Sequence, residues 1–125
     1  MPKLASDDWR ECLEYAKSDY EEAISALNRN SFREAYFHAQ QSCEELLKAI
    51  LIKKGMFIPI HDLTELARKV GVEDPTLLSK LTIHYYTSRY PDATRRAKVK
   101  YDLKIAEECI EVMRELWDTL ERRLE

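Results

Sequence analysis

Apolar and aromatic residues recur at Trp9, Leu13, Ala16, Tyr20, Ala23 and Leu27, alternately four and three positions apart. That spacing keeps one stripe on one side of an α-helix. It predicts a first helix from about Ser6 to Asn28, broken by Asn28-Arg29-Asn30. A second stripe follows at Phe32, Ala35, Tyr36, Ala39, Cys43, Leu46, Leu47 and Ile50. Ser31-x-x-Glu34 reads as a capping box at its start, and Gly55 as its left-handed stop. At about 100° per residue, Phe37 and Ile52 point away from this stripe, toward the expected polar side. Two large apolar groups there predict a self-association surface, hence a homodimer.

Met56 to Ile60 is an apolar loop ending at His61. Asp62-x-x-Glu65 opens a short third helix that reaches Val70 before Gly71. Asp74 and Pro75 start a fourth, with proline in the first turn where its missing donor costs nothing. Leu78, Leu81 and Tyr85 give that helix a buried side, and Pro91 ends it. The last helix is the most regular. Leu103, Ala106, Ile110, Met113, Trp117, Leu120 and Leu124 alternate three and four apart, a seam suited to near-parallel packing. The expected fold is all-α. It is a four-helix up-and-down bundle with a short additional helix between the second and fourth long elements, in one domain over residues 1–125.

Composition agrees with this pattern. Two glycines and four prolines in 125 residues are few for a β-rich chain, and the charged share of 34% suits long helices with charged outer faces. No stretch approaches the roughly 18–20 apolar residues of a membrane span. The N-terminus has no signal-peptide core, so a cytoplasmic protein is expected. The three cysteines, Cys12, Cys43 and Cys109, all fall on apolar positions and read as reduced core residues.

Most familiar chemistries find no support. There is no inward Glu-x-x-His pair for a di-iron bundle, no Cys-x-x-Cys, no His-Glu-x-x-His and no glycine loop for phosphate. Glu34 and His38 lie one turn apart, but two ligands on an outer face do not make a metal site. No metal and no cofactor is expected.

One segment departs from the rest. Residues 84–104 read HYYTSRYPDATRRAKVKYDLK. Six basic residues (Arg89, Arg95, Arg96, Lys98, Lys100, Lys104) stand against Asp92 and Asp102, a formal charge of +4; the whole chain is −3, so the remainder carries −7. Tyr85, Tyr86, Tyr90 and Tyr101 are interleaved with these charges. Cations neutralise phosphates and aromatic faces stack on bases. The plain alternative is a solvated connection with tyrosines at a bundle end. The same charge asymmetry also fits docking onto an acidic protein.

Four motifs carry a resemblance. They are Ala35-Tyr36-Phe37-His38-Ala39-Gln40-Gln41, Glu44-Glu45-Leu46-Leu47-Lys48-Ala49, His61-Asp62-Leu63 and Ser88-Arg89-Tyr90-Pro91-Asp92. In this order and spacing, covering roughly Tyr15 to Leu120, the chain resembles the HEPN domain family in its small stand-alone prokaryotic branch. The resemblance implies a four-helix bundle, often dimeric. It also implies a nucleotide- or RNA-binding role and a small nucleotidyltransferase as partner, in a toxin–antitoxin pair or as its substrate-binding subunit. Some branches are metal-independent ribonucleases with an Arg-x(4–6)-His motif near the last helix. Here no histidine follows Arg89. Arg33-x4-His38 has the spacing but lies on the second helix, where five residues put the two side chains about 140° apart.

The expected ligand contacts are Arg89, Arg95 and Arg96 for phosphate, and Tyr86 and Tyr90 for stacking. His61 beside a helix start and Lys48 on the second helix complete the set. Each has a structural counterpart: Arg89 pairing with Asp92, Tyr90 packing on Pro91, His61 fixing its loop, Lys48 solvated. Gln40 and Glu44, at the edge of the stripe, read as hydrogen-bonded structural residues. Three functions stay open: a binding module for nucleotide or RNA, a metal-independent ribonuclease, and a non-catalytic assembly adaptor.

Overall fold

The computed structural model describes residues 8–56, 59–60, 62–73, 75–78, 81 and 102–124. It is all-helical among these residues: α1 (Asp8–Asn28), α2 (Phe32–Lys53), α3 (Leu63–Val70), a 3-10 turn (Pro75–Leu78) and α4 (Leu103–Leu120), which runs into a second 3-10 turn (Glu121–Leu124). Ala16 and Ala23, seven residues apart, and then Ala26 put small side chains on the covered side of α1. All three are fully buried, while Leu13, Tyr20 and Leu27 flank them half-buried. Small residues let the two axes come close, and α1–α2 is the most extensive interface.

The second helix lies at the centre. It packs on α1, α4, α3 and the final turn, so its burial goes well round the axis. Alongside Leu46, Leu47 and Ile50 it buries Gln40, Ser42, Glu44, Leu51 and Ile52. A helix covered on several sides has no single polar face. This corrects the expectation for Ile52, which is only 8% exposed. Phe37 is half-buried, its ring edge-on to His38 with centroids 5.0 Å apart. The homodimer surface read from these two residues is therefore not an exposed apolar patch.

Helix ends follow local chemistry. Past α1, Asn30 adopts φ 60 and the Ser31 amide donates to the Ala26 carbonyl at 2.8 Å, a Schellman closure. The amide that a capping box would give to Glu34 is thus already used. Ser31 makes no side-chain cap, and Glu34 pairs with Arg29 at 2.5 Å. Gly55 (φ 82) and Gly71 (φ 96) close α2 and α3 as expected. Asp62 and Asp102 cap α3 and α4 through their carboxylates.

Packing of α4 follows the expected seam from Ala106 through Met113 and Trp117 to Leu124, all buried. Leu103, at the helix start, is 49% exposed instead. Leu78 and Leu81 are buried as expected, while Tyr85 lies outside the described residues. Cys43 and Cys109 are buried, but Cys12 is only half-buried. Burial, and then neighbouring Cys109, push the Cys43 thiol far above its ordinary range, which suits an inert core residue. At the far end Arg123 donates to the Val70 carbonyl at 2.6 Å, fastening the last turn to α3.

Polar ties lock α4 onto the centre. The Ser42 hydroxyl donates to the Ala16 carbonyl at 2.8 Å and accepts from Trp117 Nε1 at 2.9 Å. The Tyr36 hydroxyl donates to the Asp102 carbonyl at 3.0 Å. Ser42→Ala leaves the indole N–H of Trp117 buried without its acceptor, which costs about 1–3 kcal/mol. Thermal unfolding should show a fall of several degrees, while Ser25→Ala on the exposed side should change little. An unshifted Ser42→Ala transition contradicts this role.

Candidate functional site

Along α2, polar side chains at four-residue spacing bond to one another in a ladder within the helix. Gln40 Nε2 donates to Glu44 Oε1 at 2.8 Å, and Lys48 Nζ donates to Glu44 Oε2 at 3.0 Å. Glu44 is 7% exposed by side chain and Lys48 19%. A buried carboxylate needs such partners. The structural reading of Gln40 and Glu44 agrees with this geometry, and the Lys48 ammonium is committed to Glu44.

One step round the helix is a second polar group. His38 Nδ1 lies 2.7 Å from Asp19 Oδ1 on α1, both mostly covered. Gln41 Nε2 donates to Glu45 Oε1 at 3.4 Å, while Glu45 Oε2 is buried with no hydrogen-bond partner among the described residues. Burial, then the neighbouring Asp19 carboxylate, push the Glu45 carboxyl up to about 8; Lys48 pulls it partly back. A value raised this far favours the neutral, protonated carboxyl at neutral pH. The cluster of Asp19, His38 and Glu45 joins α1 to α2. Residues 19 and 26 positions apart become neighbours only once the two helices pair, so no local motif discloses them.

The expected ligand residues fare differently. His61, Tyr86, Arg89, Tyr90, Arg95 and Arg96 lie outside the described residues, so of the expected set only Lys48 has a described place. The α3 start beside His61 is already served by an anion of its own: the Asp62 carboxylate accepts from the Thr64 and Glu65 amides at 2.9 and 3.3 Å. Arg33 and His38 share a helix, but His38 turns to Asp19. Glu34 goes to Arg29 rather than joining His38. Among the described residues no group of three or more His, Cys, Asp or Glu is placed to hold a metal ion, and no helix is long and apolar enough to cross a membrane.

Comparison with known proteins adds family and fold. The sequence profile of the HEPN domain family matches residues 9–123. A crystal structure of TT1696 from Thermus thermophilus superposes with a TM-score of 0.80 at 24% identity, covering 94% of this chain and 98% of that one. At that identity the likeness speaks for the all-α fold alone. Comparison with curated proteins returns no match.

Glu45 gives a pH-dependent prediction. Its folded value of about 8 exceeds the ordinary 4.5, so the folded chain keeps a proton that the unfolded chain releases. The stability this contributes is full below the unfolded value and is lost as pH rises through the folded one. Denaturant unfolding of wild type and Glu45→Gln, at about pH 5 and about pH 9, should show wild type losing ground to the variant as pH rises. A difference that does not vary with pH counts against a protonated Glu45.

Proposed function

Because the chain belongs to the HEPN domain family, we propose that it is a nucleotide- or RNA-binding module working with a small nucleotidyltransferase. It forms one domain over residues 1–125, folded as an up-and-down four-helix bundle. The observation that carries the reading is the separation of charge: +4 over residues 84–104 against −7 elsewhere. Arg89, Arg95 and Arg96 contact phosphate, Tyr86 and Tyr90 stack on bases, and His61, which precedes α3 in sequence, donates to the same ligand.

Among the described residues the Lys48 ammonium lies against the buried Glu44 carboxylate, and a cation engaged in this way offers phosphate little. Lys48 is left out of the proposed contact set for that reason. With Ile52 buried, we assign no homodimer to the Phe37 face. The reading is one of binding rather than cleavage, since the chain has no histidine after Arg89. The toxin–antitoxin setting rests on family resemblance, and a nucleotidyltransferase that co-purifies from the native host would support it.

Anisotropy of a labelled oligoribonucleotide tests the binding claim. Wild-type affinity should fall as salt rises, by roughly 0.7 log units per log unit of salt for each phosphate neutralised. Arg89→Ala combined with Arg95→Ala should weaken binding at least about tenfold and flatten that slope. Affinity that ignores both salt and the double substitution would falsify the reading.

A further inference from the structure

A groove of about 730 Å³ runs between the end of α1 and the outer side of α4. Its floor is apolar: Ile110 is buried, Leu27 is half-buried, and Leu103 stands 49% exposed at the mouth. Its wall is acidic. Glu107, Glu111, Glu115 and Asp118 line it against Arg114, and all five are exposed. Four-residue spacing stacks the first three carboxylates on one helix face, and the set spans roughly 16 Å of α4. Among the described residues none of the four forms an ion pair. Like charges one turn apart destabilise a helix slightly, so this stripe is an electrostatic deficit that a cationic partner relieves.

We propose that this groove is a docking site for a basic amphipathic helix of a partner protein. One or two of its apolar side chains lie on Leu27, Leu103 and Ile110, and its lysines or arginines face the carboxylate stripe. Charge complementarity selects the occupant. Nucleic acid is repelled by four carboxylates, and an acidic or neutral helix leaves them unpaired. A helix laid in a groove through alternating apolar anchors is a recurrent recognition mode. None of the groove's lining residues is among the proposed nucleic-acid contacts, so the two proposals stand or fall independently.

The test uses the full chain and a labelled helical peptide of about 14 residues, with leucines at three- and four-residue spacing and lysines elsewhere. Binding should be saturable and should weaken with salt. Leu103→Asp, and separately Glu111→Lys with Glu115→Lys, should each weaken it roughly tenfold, whereas Glu11→Lys with Glu14→Lys on the outer face of α1 should leave it within about twofold. The two groove variants change exposed side chains by different means, so the loss of fold in one leaves the other to decide. Three results overturn the proposal: no binding, equal binding of a scrambled peptide of the same composition, or equal weakening by the α1 variant. So does light scattering in which wild type self-associates and the Glu111/Glu115 variant is monomeric, because the groove would then hold a second copy.

Discussion

The hydroxyl of Ser42 stands where three helices meet, giving its proton to Ala16 on α1 and receiving one from Trp117 on α4. Away from water, each bond left unmade would cost more than a formed one contributes, so this small side chain constrains both partners. Trp117 is held again by Tyr20, edge-on at 5.5 Å and 77°. Its position in turn sets how α4 lies on α2, and the Tyr36 hydroxyl fixes the same helix at its start through Asp102. The outer side of α4, with its acidic stripe, is thereby given a fixed direction. The basic run enters α4 at that same anchored residue.

Helical periodicity alone made most of the fold legible. Alternating threes and fours placed α1 and α4, and Gly55 and Gly71 marked the ends of α2 and α3. What periodicity does not convey is how many sides of a helix are covered. A wheel drawn for α2 assumes one buried face, and on that assumption Ile52 points outward. In the structure α1, α3 and α4 surround the helix, and Ile52, Ser42 and Glu44 are buried with the rest. Ser31 fails as a capping box for an equally physical reason: its amide already closes α1.

Site residues were less legible, because their chemistry depends on tertiary neighbours. Gln40, Glu44 and Lys48 lie one turn apart, so their ladder was open to inference from spacing. Asp19, His38 and Glu45 were not, since nothing along the chain joins them before α1 meets α2. Conversely, the strongest sequence signal, the cationic and aromatic run over residues 84–104, draws its force from composition: it reverses the sign of a chain that is otherwise acidic. Among the described residues Glu107, Glu111, Glu115 and Asp118 of α4 form no ion pair, which extends that contrast. Positive charge gathers in residues 84–104 of the sequence, and the groove beside α4 is lined by acidic side chains.

Hydrogen–deuterium exchange with and without an oligoribonucleotide addresses that division most directly. Binding at the cationic run should slow exchange in peptides covering residues 84–104 and leave the exposed turns of α1 and α4 as they were. Protection falling instead on the acidic helices, or nowhere at all under conditions of saturation, would contradict the account.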